Sequence, residues 1–115
     1  YPEVEKKPEI TIDDFDKVQI QVGEVIKCEP VPKAKKLLVS QIKIGAETRQ
    51  IVSGIAKYYK PEEMVGKKVA VITNLKPCKL CGVESQGMIL AAGDDEGNLS
   101  VVTVDKDIVA GSEIC

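Results

Sequence analysis

The stretch from residue 67 to residue 92, KKVAVITNLKPCKLCGVESQGMILAA, constrains the fold of this chain more than any other. It opens with residues 69–74, an alternating β-branched run that is too short for a typical helix and predicts a buried strand ending at Asn74. A proline, two glycines and several polar residues follow before the chain turns apolar again at Met88. This pattern predicts a long loop between two core strands, and long loops on a rigid β scaffold commonly carry binding sites.

The remaining elements are short and mostly extended. In chain order the sequence predicts a capped helical turn at 11–17 and a strand at 18–28, which ends at the two prolines of segment 29–32. A basic loop at 33–36 and strands at 37–44 and 49–53 follow. The last predicted elements are a short helix at 61–66 and a final hairpin of 88–92 with 99–104. The apolar phase of the first strand slips after Gly23, so we expect a bulge or bend at this glycine. Valine and isoleucine dominate the apolar residues, which favours β structure. The pattern alone leaves an oligonucleotide-binding (OB) barrel, an SH3-like barrel and a small sandwich open.

The formal net charge of −2 conceals a segregation of charge along the chain. Residues 1–26 carry a net charge of −4, residues 27–86 carry +7, and residues 87–115 carry −5. A locally positive face is what phosphate binding requires, because each lysine or arginine that neutralises a phosphate releases condensed counterions. The basic middle of the chain therefore indicates a nucleic-acid surface, with an ordinary solvated lysine-rich surface as the alternative.

The residue types that the sequence lacks argue against catalysis and metal binding. There is no histidine, the commonest general base and the commonest zinc ligand. Of the four cysteines, Cys78 and Cys81 form one CxxC motif, whereas Cys28 and Cys115 stand alone. A zinc site would need two further ligands, and a redox CxxC normally opens a helix after a strand. We therefore expect a non-catalytic domain without metal or cofactor, in which the CxxC motif is incidental.

A series of short motifs follows in order along the chain. They are FDKV at 15–18, VG at 22–23, PKA at 32–34, KLL at 36–38, RQIVSGI at 49–55, NLKP at 74–77, KL at 79–80, GVESQGM at 82–88 and LAA at 90–92. This set resembles the tRNA-binding domain appended to methionyl-tRNA synthetases. It is also similar to free-standing structure-specific tRNA-binding proteins and to a group of secretion-related chaperones.

The resemblance implies an architecture as well as a function. The fold it implies is all-β, a five-stranded OB barrel with a short helix and C-terminal extension strands. Residues 1–10 would be a linker, and residues 11–115 would be the tRNA-binding domain. Within that domain, the segment 93–115 would pack beyond the barrel and support a homodimer, because Val101 to Ile114 is too apolar for a loose tail.

The resemblance also implies the residues that contact tRNA. They are Lys33, Lys36, Asn74, Lys76, Ser85, Gly87 and Met88. The lysines, with Lys35 and Lys79, would contact phosphates from loops that flank one groove. The asparagine and the serine would hydrogen-bond bases, phosphates or 2′-hydroxyls, the glycine would allow close backbone approach, and Met88 would pack on a base or fill the core.

Three positions depart from the family pattern. Lys35 and Lys43 stand where relatives often carry acids, and would add positive charge near the groove, whereas Gln21 replaces a common arginine. Stacking aromatics are scarce, so the sequence predicts recognition of tRNA by shape and backbone with low sequence specificity. No apolar run is long enough to cross a bilayer, and we expect a cytoplasmic domain joined to a synthetase catalytic body. The alternatives are a free-standing tRNA-binding protein or a peptide-binding chaperone of the same family.

Overall fold

The computed structural model describes residues 4–115. This part of the chain is mostly β structure with two helices of a single turn. The elements are α1 (Ile12–Phe15), β1 (Ile20–Val31), β2 (Ala34–Ile44), β3 (Glu47–Ser53), α2 (Pro61–Met64), β4 (Lys68–Ile72), β5 (Cys78–Leu80), β6 (Val83–Ser85), β7 (Met88–Ile89), β8 (Ala91–Gly93), β9 (Leu99–Val101) and β10 (Glu113–Ile114).

One antiparallel sheet organises the fold. Its strands run in the order β3-β2-β1-β4-β7, and β10 pairs with the start of β1. Two small hairpins, β5-β6 and β8-β9, lie outside this sheet. The arrangement confirms the predicted OB-like, all-β class with a short helix and C-terminal strands. Within the described residues no ladder joins β7 to β3, so the sheet is not closed by strand pairing.

The first strand has two partners along the same edge. At its start Ile20 pairs with Ile114 of β10, and from Glu24 onwards the same edge pairs with β2. The register shift lies between Val25 and Lys27, so the bulge falls near Ile26, three residues after Gly23, where a bulge or bend was expected. The glycine instead provides close packing, because a Cβ at residue 23 would lie 2.5 Å from Ile42 Cγ2.

The basic segment 33–36 is mostly strand, which corrects the predicted loop. β1 continues through Pro30 to Val31, and Val31 pairs with Ala34, so Pro32 and Lys33 alone form the turn. The predicted end of the strand at the two prolines is therefore too early. An edge or bulged strand tolerates proline, however, and a register shift does occur between Pro30 and Val31.

The C-terminal half differs from the prediction in detail. The fourth strand ends at Ile72 rather than at Asn74, and the following loop contains the β5-β6 hairpin, which the sequence analysis did not predict. The predicted final hairpin is present as β8 and β9, but β7 pairs with β4 instead of with β9.

The core lies between the sheet and α2. Its fully buried side chains include Leu38, Ile42, Ile51, Met64 and Val69. Proline at the first position of α2 and acids in its first turn favour the helix, which carries Met64 into this core. Truncating a buried methionine to alanine typically costs about 2–5 kcal/mol, so this one-turn helix is an integral part of the barrel.

The chain before the first helix has no helix or strand over residues 4–10, and its side chains there are exposed. Residues 1–3 of the predicted linker lie outside the described residues. The predicted capping box is confirmed: Thr11 Oγ1 accepts from Asp14 N, and Thr11 N donates to the Asp14 carboxylate. Along residues 4–115, neither helix has the length and apolar character needed to span a bilayer.

Candidate nucleic-acid interface

The long loop, residues 73–87, is fixed to β3 at both of its ends. Arg49 donates through Nη1 to the carbonyl oxygens of Thr73 and Gln86. Gln86 N donates to the carbonyl of Gln50 at 2.8 Å, and Gln50 N donates back to Gln86 Oε1 at 3.1 Å. These contacts connect the loop to the edge of β3 where a closed barrel would have a strand ladder. The loop is therefore held as part of the scaffold.

The hydroxyl of Ser85 is used inside the protein. The residue is 2% exposed, and its Oγ accepts from Val52 N at 2.9 Å and donates to the carbonyl of Gly87 at 3.1 Å. A hydroxyl has one proton to donate, and this proton is already engaged. The geometry therefore gives Ser85 a positioning role in the loop, in place of the direct tRNA contact that the sequence predicted.

The amide of Asn74 is also engaged internally. Its Nδ2 donates to the carbonyl of Lys17 at 2.6 Å, and its Oδ1 accepts from Gln19 N at 2.8 Å. One N–H and the oxygen of this amide are thus engaged by the segment between α1 and β1, while the residue stays exposed and keeps a second N–H. Asn74 fixes the start of the long loop, so it too has a positioning role.

Gln21 adds a further connection to the start of the loop. Its Oε1 accepts from Thr73 Oγ1 at 2.8 Å, and its Nε2 donates to the carbonyl of Gly111 at 3.0 Å. The residue that replaces a family arginine therefore joins the long loop to the C-terminal segment through neutral hydrogen bonds.

Gly87 and Met88 behave differently although they are neighbours. A Cβ at residue 87 would lie 2.9 Å from the carbonyl oxygen of Ile72, so the close approach that Gly87 permits is to its own barrel. Met88 is 45% exposed, which excludes the core-filling alternative and leaves its side chain free to pack on a ligand.

The tip of the long loop is a tight hairpin. Cys81 and Gly82 connect β5 to β6, and both have positive φ angles, 51° and 81°, as in a type I′ turn. Cys78 starts β5, and three strand residues span about 10 Å, beyond the roughly 7 Å that a disulfide tolerates between Cα atoms. In the described part of the chain no group of three potential metal ligands occurs.

The basic residues form two exposed groups. Lys33 lies in the turn between β1 and β2, and Lys36 lies near the start of β2, whereas Lys76 and Lys79 lie on the long loop. None of these four makes a salt bridge with a described residue, so their charges are available to a ligand. Lys79 lies opposite Glu84 in the register of the hairpin, but the two side chains form no salt bridge.

Met88 is connected to both groups through neighbouring residues. The carbonyl of Lys36 accepts from Ala56 N at 3.2 Å, and residues 53–55, just before Ala56, share a concavity with Met88. Met88 also pairs with Ile72, after which the long loop leads to Lys76. Both lysine segments are therefore linked to residues that adjoin Met88.

Other lysines lie away from this surface or are engaged. Lys43 pairs with Glu24 and Thr48 at the opposite end of β2 from Lys36. It therefore lies away from the turn between β1 and β2. Lys68 lies at the start of β4, and its Nζ is 2.6 Å from the Asp107 carboxylate. This ion pair holds the pKa of Asp107 below its ordinary value.

Sequence reasoning missed the contribution of Arg49, Gln50 and Gln86. All three lie inside the recognised motifs, but nothing in the local pattern shows that they join the loop to β3. A partly buried arginine that donates to two main-chain carbonyls is recognisable only once the chain is folded.

Comparison with known proteins agrees with this geometry. Residues 20–113 match the family described as "Putative tRNA binding domain". A methionine–tRNA ligase from Methanocaldococcus jannaschii is 62% identical over 110 residues, which cover 96% of this chain but only 17% of the relative.

Solved structures show the same fold. The MetRS-related protein from Pyrococcus horikoshii superposes with a TM-score of 0.90 at 38% identity, covering 95% of this chain and all of that protein. The CsaA chaperone from Picrophilus torridus superposes with a TM-score of 0.84 at 25% identity, covering 93% of this chain and all of that protein. The chain therefore belongs to the tRNA-binding-domain family.

Proposed function

We propose that the chain binds tRNA through the surface that Lys33, Lys36, Lys76 and Met88 form. Support for this proposal comes from exposed lysines that form no salt bridge with a described residue, on two segments linked to a half-exposed Met88. Separated cations can follow a phosphate backbone, and an apolar side chain between them can contact a base. The internal hydrogen bonds of Asn74 and Ser85 give the long loop a fixed shape for this contact.

Recognition in this proposal depends on the shape and backbone of tRNA, with low sequence specificity. The side-chain amide of Asn74 and the hydroxyl of Ser85, which would be best suited to read base edges, are engaged internally. The lysines contact phosphates, which carry no direct sequence information. Different tRNAs should therefore bind with similar affinity.

The relatives support a place for the chain within a larger enzyme. The chain spans about one sixth of the length of the methionine–tRNA ligases that it matches. We propose that it acts as an appended, non-catalytic domain of such a ligase in the cytoplasm and raises the affinity of the whole enzyme for tRNA. A free-standing tRNA-binding protein is the alternative arrangement.

A homodimer formed through the C-terminal segment is part of the proposal. Val109 is 74% exposed, and Val102 and Ile108 are also exposed, so this segment offers an apolar surface to a second copy. Val101 is not part of that surface, because it is buried against its own barrel. Sedimentation should give twice the chain mass of 12.5 kDa.

Truncation is unsuitable as a test of the dimer, because removing residues after Gly93 also removes β9 and β10. The sharper variant is Val109→Asp, which should sediment as a monomer. Val65→Asp, at an exposed position outside the C-terminal segment, is the matched control and should stay dimeric. A parent protein that is monomeric at tens of micromolar would exclude the dimer.

Peptide binding is the second candidate function. The likeness to a CsaA chaperone and the exposed side chains of Leu75 and Leu80 on the long loop favour it. A peptide-binding surface would depend on these apolar groups, and its affinity would be nearly independent of salt.

A filter-binding titration with bulk tRNA at several salt concentrations tests the main proposal. If about four to six phosphates are neutralised, the logarithm of affinity should fall against the logarithm of salt with a slope of roughly −3 to −5. Lys36→Glu and Lys76→Glu should each weaken binding of all tRNAs and flatten the slope. Lys106→Glu is the matched control, because Lys106 is exposed and lies between Asp105 and Asp107 in an acidic segment.

This control is preferable to substitutions at Lys67 and Lys68, where β4 begins. Lys68 is paired with Asp107, and Lys67 lies 5.8 Å from the ring centre of Tyr59, so changing either would disturb packing. A salt-independent affinity, or parental binding by Lys76→Glu, would contradict the tRNA proposal and favour the peptide alternative.

A further inference from the structure

A concavity of about 330 Å³ opens beside Met88. Its walls come from three segments: residues 52–55 at the end of β3, residues 88–91 of β7 and β8, and Leu99 of β9. Most of the lining side chains are apolar. Its volume is at the lower end of the range of about 300–1,000 Å³ that is usual for small-molecule sites, so it suits one compact group.

Ser53 makes this concavity unusual. Among residues 4–115, the Oγ of Ser53 is the one buried side-chain oxygen or nitrogen that has no hydrogen-bond partner. Leaving a buried hydroxyl unsatisfied destabilises the free protein, so such a group invites a functional explanation. Ser53 is also part of the wall, so a group bound in the concavity would lie beside this residue.

The surroundings of the concavity indicate what that group is. Residue 53 is three residues before Ala56, which bonds to Lys36, and Met88 pairs with Ile72, from which the loop leads to Lys76. Both lysine segments are therefore linked to residues of the wall, so a polynucleotide that contacts these lysines would lie close to the opening. A nucleobase has apolar faces and a hydrogen-bonding edge, which match an apolar wall with one unpaired hydroxyl.

We propose that this concavity accepts one unpaired nucleobase of the bound tRNA. Met88 packs against the face of the base, and the Ser53 hydroxyl bonds to its edge. The inference rests on the proposed tRNA-binding function and adds to it a requirement for an unpaired nucleotide. Binding then has two components: a salt-dependent contact with phosphates and a salt-independent contact with one base.

Filling the concavity separates the two components. Ala91 lines it and is exposed, whereas the next residue of β8, Ala92, is exposed but points to the other face of the strand. Ala91→Phe should weaken tRNA binding about tenfold without changing the salt slope, the size expected from losing one base contact. Ala92→Phe is the matched control and should bind like the parent.

A blunt RNA duplex without unpaired nucleotides supplies the second comparison. Parent, Ala91→Phe and Ala92→Phe should all bind this duplex equally, and more weakly than the parent binds tRNA. Chemical probing of unpaired nucleotides should show a protected tRNA position with the parent and lose that protection with Ala91→Phe. Thermal melting checks that each variant is folded.

Ser53→Ala gives a test in which structure and binding move in opposite directions. Removing an unsatisfied hydroxyl should leave the melting temperature of the free protein unchanged or raise it, because no internal bond is lost. The affinity for tRNA should nevertheless fall about threefold, as expected for one lost neutral hydrogen bond. A serine with a purely structural role would lower both.

The outcomes distinguish this inference from the proposed function. If the parent binds tRNA with a steep salt dependence but Ala91→Phe binds it equally well, the base site is overturned and the tRNA function stands. If Ala91→Phe weakens tRNA and duplex by the same factor, or weakens only binding of an apolar peptide, the base site is also overturned. If the parent shows no salt-dependent tRNA binding, the function itself fails.

Discussion

Arg49 on β3 donates through Nη1 to the main-chain carbonyl of Thr73, 24 residues further along the chain, where the long loop begins. Because its guanidinium also reaches the carbonyl of Gln86, one side chain fixes both ends of this loop. Arginine suits this role, since its planar group presents several donors in a fixed geometry.

Arg49→Met should therefore weaken tRNA binding without removing a phosphate contact. We expect the affinity to fall several-fold, the salt slope to stay parental, and the free energy of unfolding to drop by about 1–3 kcal/mol as two carbonyls lose their donor. Salt-dependent filter binding and urea denaturation measure these quantities. A slope that flattens by about one unit would show instead that Arg49 contacts a phosphate.

Ser85→Ala should act first on stability. The substitution leaves Val52 N without an acceptor in a buried position, which should destabilise the fold by about 1–3 kcal/mol. Binding should weaken only through the altered loop, with the salt slope unchanged. Urea denaturation of Ser85→Ala beside Ser100→Ala, an exposed serine on β9, is the measurement, and equal stability of the two variants would contradict the positioning role.

The four thiols should fall into two classes. Cys28 is buried, and burial raises the pKa of its thiol, whereas Cys78, Cys81 and Cys115 are exposed. A thiol reagent at neutral pH should modify three cysteines rapidly and Cys28 only on unfolding, because the thiolate is the reactive form. Rapid modification of all four in the folded protein would show that the barrel opens near β1.

The CxxC motif should prove incidental to function. Metal analysis of protein purified without chelators should show far less than one zinc per chain, and the double variant Cys78→Ser, Cys81→Ser should keep the parental tRNA affinity. The positions of the two residues are the reason, because Cys78 starts β5 whereas Cys81 lies beyond its end, in the turn to β6. Stoichiometric zinc would contradict this expectation.

Two carboxylates should make the C-terminal region sensitive to acid. Hydrogen bonds from the Asn98 side chain, and from the main chain of Asn98 and Glu96, lower the pKa of Asp94 below its ordinary value of 3.8, and Lys68 does the same for Asp107. A lowered folded-state pKa means that the stabilisation is complete above the unfolded-state pKa and is lost as pH falls through the folded-state value.

The parent should therefore lose stability as the pH falls from above the unfolded-state pKa through the lowered folded-state pKa of each carboxyl, and part of this loss should disappear in the double variant Asp94→Asn, Asp107→Asn. Thermal melting across this range is the measurement. The stabilisation that Asp107 contributes should shrink in high salt, because it depends on an exposed ion pair with Lys68. Identical pH profiles for parent and variant would contradict the assignment.

The parts of the fold that local signals encode could be predicted. The capping box at Thr11 and the proline at the start of α2 are short-range features, and both helices formed where these features occur. The start of β2 could not be predicted, because exposed lysines at residues 35 and 36 look like loop. The β5-β6 hairpin was missed because Cys81-Gly82 lacks the asparagine or aspartate that usually marks a type I′ turn.

The candidate site was predictable to a smaller degree. The lysine groups and Met88 are visible in the charge pattern and the motifs, and the fold links both groups to residues that adjoin Met88. The roles of Asn74, Ser85 and Gly87 depend on contacts with residues 17–19, Val52 and Ile72. Most of these partners lie dozens of residues away, so no periodicity or short motif could show that the three residues make these internal contacts.

The pairing of Ile20 with Ile114 brings the beginning and the end of the folded unit onto neighbouring strands. The two ends are far apart in sequence but adjacent in space. A polypeptide joined to either of them would thus leave the domain from the same side. The unit is consequently suited to insertion within a surface loop of a host protein, as well as to fusion at a terminus, with little change in the orientation of its lysines. Circular permutation through a short linker between the two ends should likewise preserve the barrel.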